Sequence, residues 1–114
     1  DDMPAIFSSL DVLVSTSVDE AFGLVLVEAL ACGCPCVSSS NHGAKGIGGE
    51  FIKFAEIGDI DEFFTQVSKI VGYDSCHESF SEQARKYVSA KFSVENTAKK
   101  YLDLYCRSNP KFRP

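Results

Sequence analysis

The sequence predicts an α/β fold: part of a Rossmann-like, doubly wound sheet with short parallel strands, helices on both faces and a C-terminal helical segment. Three observations carry this. Two apolar runs, Val12–Val14 and the one within CPCVSSS (Cys34 to Ser40), each run into a series of hydroxyl side chains. Continuous apolar runs of this length read as strands buried on both faces. Between them lies the apolar stretch FGLVLVEALA, and two strands joined by a helix make a βαβ unit whose strands run parallel. Beyond residue 58, three stretches begin with helix-capping residues.

Taken in chain order, Pro4 suits the first turn of a short helix running to about Ser9, with Asp2 or Met3 before it. The strand Val12–Val14 follows. A helix from Phe22 to Cys32 is stopped by Gly33 and Pro35. Leu24, Val25, Leu26, Val27, Ala29, Leu30 and Ala31 leave it almost no polar face, so it should be buried, with Glu28 inside it. After the second strand, NHGAKGIGGE holds Gly43, Gly46, Gly48 and Gly49 and no apolar period, and reads as a loop. Phe51, Ile52, Phe54 and Ala55 form a third short strand. Asp59 and Glu62 make a capping-box pair ahead of a helix whose Ile60, Phe63, Phe64, Val67, Ile70 and Val71 share one stripe. Ser79 and Glu82 repeat that cap for a second helix, with Phe80, Ala84, Tyr87 and Val88 inward. Ser93 caps a third, with Val94, Ala98, Tyr101, Leu102 and Tyr105 toward the core. Residues 1–108 are assigned to one domain and 109–114 to a flexible tail.

At 114 residues the chain can hold one domain with a modest core. It has no apolar run of about 18 residues to span a bilayer, and DDMPAIF lacks the basic and apolar regions of a secretory leader. The strand Val12–Val14 would stand at a sheet edge with nothing before it to pair with, which predicts a piece of a larger protein that self-associates when isolated. A net charge of −5, with Lys45, Lys53, Lys86, Lys99 and Lys100 scattered, argues against a nucleic-acid groove. Five cysteines, an odd number, favour the reducing cytoplasm; peripheral membrane association of the full-length protein is compatible with that location. Cys32, Cys34 and Cys36 are spaced more tightly than zinc ligands usually are. With His42 the only fourth ligand at hand, we expect buried packing residues and no metal. His77 beside Cys76 is read the same way.

Ligands of open parallel sheets bind beyond the carboxyl ends of the strands. Those ends are Ser15-Thr16-Ser17, leading to Asp19 and Glu20, and Ser38-Ser39-Ser40, leading to Asn41-His42-Gly43. The helix starting near Phe22 aims its free N–H groups at the same crevice, a place that favours an anion by up to ~2 kcal/mol when partly buried. Gly23 leaves room for an anion's oxygens. Glu20 would stand at the lip and Glu28 beside the wall, each able to accept hydrogen bonds from a vicinal diol. Seven residues between two glutamates is a weak pattern by itself. It also fits a helix-start charge at Glu20 and a solvated or salt-bridged Glu28.

The longer string, Ser17-Val18-Asp19-Glu20-Ala21-Phe22-Gly23-Leu24 through Glu28-Ala29 to Ala31-Cys32-Gly33-Cys34-Pro35, closely resembles the donor-binding segment of retaining glycosyltransferases of family 4, a GT-B class. His42-Gly43-Ala44-Lys45-Gly46-Ile47 is similar to the family's glycine loop. Gly58-Asp59, Phe92-Ser93 and Tyr101-Leu102-Asp103-Leu104-Tyr105 match later features, so the resemblance covers essentially the whole chain. It implies the C-terminal part of a GT-B nucleotide-sugar-binding domain. The parent enzyme would transfer a sugar, as a hexosyltransferase, from a nucleotide diphosphate sugar to a glycan or lipid-linked acceptor, in polysaccharide biosynthesis and with retention of configuration.

By the same resemblance, Glu20 is the catalytic-site glutamate near the donor sugar. Phe22, Gly23 and Leu24 hold the diphosphate through their N–H groups, and Glu28 takes the ribose hydroxyls. Gly43 and Lys45 are candidate loop contacts. The family's chemistry needs no cofactor beyond the nucleotide-sugar co-substrate and no metal. Gly46 stands where the family commonly has Glu, and Cys36 where Val is usual. The acceptor domain and the first half of the donor domain, with its cationic pair, are not in this sequence, so the chain alone is expected to be inactive. The alternatives are a non-catalytic nucleotide- or protein-binding module, and a sugar-nucleotide epimerase of the same architecture.

Overall fold

The computed structural model describes residues 2–48, 50–72, 77–109 and 111. Its elements are α1 (Met3–Ser9), β1 (Leu13–Ser15), α2 (Leu24–Ala31), β2 (Cys36–Ser39), α3 (His42–Ile47), β3 (Ile52–Ala55), α4 (Ile60–Val71), α5 (His77–Phe92) and α6 (Val94–Ser108). The strands form one parallel sheet in the order β1-β2-β3. Leu13 sits beside Cys36 and Ser15 beside Ser38, while Cys36 sits beside Ile52 and Ser39 beside Ala55. The α/β class and the parallel βαβ unit read from the sequence are those of the structure. β2 is central and buried at all four positions. β1 is an outer strand with Val14 exposed, so it is buried less than its apolar sequence predicts: a strand acquires two covered faces only with helices on both.

The core lies between α2, β2 and α5, where Leu26, Leu30, Cys36, Ile47 and Ala84 are buried together. α2 is shorter than the expected Phe22–Cys32 and is not buried all round. Leu26, Val27, Ala29 and Leu30 face the core, whereas Leu24, Val25, Glu28 and Ala31 are exposed. Glu28 is therefore on the open face of the helix, not inside it, and carries no desolvation penalty to explain. Cys34 and Cys36 fill the core as small residues, Cys36 Sγ lying 3.5 Å from the Cys34 carbonyl oxygen. Burial pushes the Cys36 thiol far above its usual range, with Cys34 adding to the effect; burial raises Cys34 as well, partly offset by a backbone hydrogen bond from Leu13.

Four other elements depart from expectation. The glycine-rich stretch is not all loop, because Asn41 caps α3, its side-chain oxygen accepting from Ala44 N–H at 2.8 Å. Asp59 caps α4 as read, accepting from Glu62 N–H, but the Glu62 carboxylate accepts from Glu56 N–H at 2.9 Å rather than closing a box on Asp59. The apolar stripe of α4 exists yet has no buried residue, Ile60 being 81% exposed. Ser79 lies inside α5 and accepts from Gln83, so it is no cap. Ser93 does cap α6, but Val94, Ala98, Tyr101, Leu102 and Tyr105 are exposed rather than facing a core. The molecule measures 55 × 29 × 26 Å, with a radius of gyration of 16.6 Å against about 13 Å for a compact chain of this size. Residues 110 and 112–114 lie outside the described residues, and with them most of the expected flexible tail; Cys76 and the His77 side chain do as well.

Candidate functional site

The segment between β1 and α2 is held from behind by β2 and α3. Ser39 Oγ–H and Asn41 Nδ2–H both donate to the Ser17 carbonyl, the latter at 3.0 Å, and Asn41 Nδ2 also reaches Ser39 Oγ at 3.3 Å. Ser38 Oγ–H donates to the Ser39 carbonyl at 3.0 Å. Ser38 and Ser39 are fully buried, so these two hydroxyls at the strand end serve the protein's own backbone and not a crevice ligand, as their position in sequence had implied.

Farther along, α3 presses its first turn against the loop. A Cβ on Gly43 would lie 2.8 Å from the Phe22 nitrogen and from the Glu20 carbonyl carbon, and closer still to the Glu20 carbonyl oxygen. Only a residue without a side chain permits that approach. Gly23 then turns the chain into α2 with φ +87°, a left-handed conformation that glycine adopts without steric penalty. A Cβ there would sit 3.3 Å from Leu26, 3.4 Å from Ile47 and 3.8 Å from Glu20 Cγ. Glu20, Phe22, Gly23 and Gly43 are thus one cluster around the N-terminus of α2, and Glu20 is half-buried within it. Gly23 provides no side-chain cap. The Leu26 and Val27 amides close on the Gly23 carbonyl at 3.0 and 3.4 Å, leaving the Leu24 and Val25 amides ahead of the intrahelical ladder. An anion placed there meets unpaired N–H groups and the positive end of the helix dipole.

Glu28 is one turn into α2, four residues after Leu24 and on the same exposed face. The order of depth is the reverse of the expected one: Glu20 is half-buried and Glu28 is open. Lys45 is exposed on α3, and a Cβ on Gly46 would meet nothing within 4 Å. Among the described residues no three His, Cys, Asp or Glu side chains are grouped to hold a metal, and no helix is long and apolar enough to cross a membrane.

Three contributors to the site carry no local sequence signal as ligands. Asn41 and Ser39 act on Ser17 across the sheet, and the ring of Phe22 meets Phe92 edge-on with centroids 5.6 Å apart. Asn41 as a helix cap was readable from Ala44 and Ile47 at helical spacing behind it; the glycines obscured that pattern.

The N-terminus of a helix beyond a parallel sheet, with a half-buried glutamate beside it, is an arrangement that can accept an anionic ligand. The family model described as glycosyl transferases group 1 matches residues 1–87, and the chain belongs to that family. It is 29% identical over 107 residues to the N-acetyl-alpha-D-glucosaminyl L-malate synthase of Bacillus anthracis, covering 92% of this chain and 28% of the relative. The Anabaena Alr3699/HepE protein, solved in complex with UDP, superposes with a TM-score of 0.84 at 22% identity, over 93% of this chain and 30% of that one. A sucrose-phosphate synthase from Thermosynechococcus elongatus superposes with a TM-score of 0.80 at 27% identity, over 90% and 26%. The fold is that of GT-B glycosyltransferases, and the chain spans less than a third of the length of these relatives.

Proposed function

We propose that the full-length protein is a retaining glycosyltransferase of family 4 that moves a hexose from a nucleotide diphosphate sugar to a glycan or lipid-linked acceptor, in polysaccharide biosynthesis. The observation that carries this reading is the convergence of Glu20, Phe22, Gly23 and Gly43 at the open N-terminus of α2 in a chain of the glycosyl transferases group 1 family. The amides from Phe22 to Leu24 take the diphosphate, whose charge the helix end favours. Glu28, open to solvent one turn on, accepts the ribose hydroxyls, and Glu20 meets the donor sugar. Lys45 and Gly43 line the approach on α3. The UDP bound by the Anabaena protein supports a nucleotide ligand and leaves the base of this protein's donor to be measured. Stabilisation of the leaving diphosphate by the helix end and basic side chains needs no metal in this reading.

The test is the Glu28→Ala variant of the full-length protein, titrated with UDP, GDP and ADP. Loss of a charged acceptor for ribose should weaken binding by ~1.5–3 kcal/mol, roughly ten- to hundredfold, equally for donor and product nucleotide. Because Glu28 is exposed, its removal should leave the melting temperature nearly unchanged. An unaltered nucleotide Kd would remove Glu28 from the site.

The isolated chain, which spans less than a third of the length of these relatives, should turn over no nucleotide sugar. It should instead associate: β1 is hydrogen-bonded on one edge only among the described strands, and Val14 is exposed on it. Light scattering of the 114-residue chain should give a mass above the monomer that rises with concentration, and Val14→Lys should lower it by charging the edge. A clean monomer at high concentration would count against edge pairing.

A further inference from the structure

α5 closes the C-terminal ends of both helices that flank the candidate donor loop. At α2, Ser81 Oγ–H donates to the Gly33 carbonyl at 2.7 Å and Arg85 Nη2 to the Cys32 carbonyl at 3.2 Å. At α3, Tyr87 OH and Lys91 Nζ both donate to the Ile47 carbonyl at 2.6 Å, and lie 3.1 Å from each other. The next residue, Gly48, has φ +75°, and a Cβ on it would fall 3.0 Å from both donors, so a glycine here leaves room for the pair. Carbonyls at a helix C-terminus lack intrahelical partners, and a lysine there also complements the negative end of the dipole. Lys91 Nζ further lies 5.3 Å from the Phe92 ring centroid. Phe92 in turn packs edge-on against Phe22.

We propose that the last turn of α5, through Lys91, Tyr87 and Phe92, is a positioning device for the donor loop. Two routes lead from it to the loop. The first runs from Lys91 and Tyr87 through the Ile47 carbonyl to α3, whose Gly43 abuts the Glu20 and Phe22 backbone and whose Ile47 side chain lies beside Gly23. The second runs from Phe92 directly to the Phe22 ring. α3 is only six residues long, too short to hold its own geometry, so its placement depends on the Asn41 cap at one end and the Lys91–Tyr87 pair at the other. Among the described residues, the hydrogen bonds of Lys91 and Tyr87 go to Ile47 and to each other rather than to the loop. Their action is on where the loop's amides stand, and it rests on the reading of that loop as the nucleotide-binding one.

The experiment combines nucleotide titration with amide hydrogen exchange on the full-length protein. Lys91→Ala should weaken the Kd of whichever of UDP, GDP or ADP binds wild type by roughly tenfold, the size of effect known for residues without ligand contact. It should also speed exchange at the amides of residues 20–24 and 43–47. Lys91→Arg, which keeps a cationic donor for the Ile47 carbonyl, should restore most of both, and Tyr87→Phe should give a smaller effect in the same direction. Val88→Ala, a cavity in the same helix, should lower the melting temperature and leave Kd and loop exchange as in wild type. Unchanged exchange at residues 20–24 in folded Lys91→Ala overturns the proposal, whether or not a nucleotide binds. Wild type binding none of the three nucleotides would overturn the donor reading instead, and faster loop exchange in Lys91→Ala would then still support the positioning role.

Discussion

Replacing Glu20 by alanine in the full-length protein should lower kcat by about 100-fold or more, the size expected when one positioned polar group at a reacting centre is lost. Product-nucleotide Kd should change little. The reason is location. Glu20 is half-buried in the loop, its Cγ beside the Gly23 turn, ahead of the helix end proposed for the diphosphate. In the proposed reading a group there would meet the donor sugar and not the nucleotide, so its contribution would be realised as the sugar leaves, and the loss should appear in kcat and kcat/KM together. A carboxylate that merely complemented the α2 dipole would behave otherwise. It would contribute about 0.3–1 kcal/mol to stability and leave the turnover of each folded molecule as it was. Measuring kcat, KM, nucleotide Kd and melting temperature for Glu20→Ala and Glu20→Gln separates the two. A lower melting temperature with unchanged kcat per folded molecule would strip Glu20 of its role.

The parts of this fold legible in the sequence are those whose partners lie nearby in the chain. The caps at Asp59 and Ser93 read correctly because each hydroxyl or carboxylate meets an amide three residues on. The stop at Gly33 read correctly too, since φ +77° there is a local demand for glycine. Burial read poorly, because it is set by what else is present. The stripes of α4 and α6 are amphipathic in sequence, but Phe64 and Tyr101 stay exposed. Periodicity says which face of a helix is apolar, not whether anything covers it. The site divided in the same way. Glu20, Phe22, Gly23 and Glu28 stand in one contiguous string, and Gly43 follows in a recognisable glycine-containing segment. The groups that orient them act over long separations: Asn41 on Ser17, Phe92 on Phe22, and Lys91 on Ile47. No local pattern encodes such a pairing, and a lysine two residues before a capping serine looks like any solvated lysine.

Gly43→Ala should be among the most damaging single changes in this chain, and Gly46→Ala, three residues away on the same helix, should be stabilising. Both glycines lie inside α3 and neither has a positive φ. Helix propensity alone therefore predicts a gain of up to about 1 kcal/mol for alanine at either position. Space decides the difference. A Cβ on Gly46 meets nothing within 4 Å, so the gain is kept. A Cβ on Gly43 lies 2.8 Å from the Phe22 nitrogen and still nearer the Glu20 carbonyl oxygen, and both obstacles are backbone that cannot rotate aside. Either α3 or the 20–22 segment must move. Overpacking of this kind typically costs about 1–3 kcal/mol, enough to outweigh the propensity gain and lower the melting temperature. The same displacement shifts Glu20 and the Phe22 amide, so nucleotide binding should weaken by roughly tenfold or more in the molecules that remain folded. Thermal melts and nucleotide titrations of the two variants, made in the full-length protein, check this directly. A Gly43→Ala protein as stable as Gly46→Ala, with wild-type nucleotide affinity, would mean that α3 does not press on the donor loop as the structure has it.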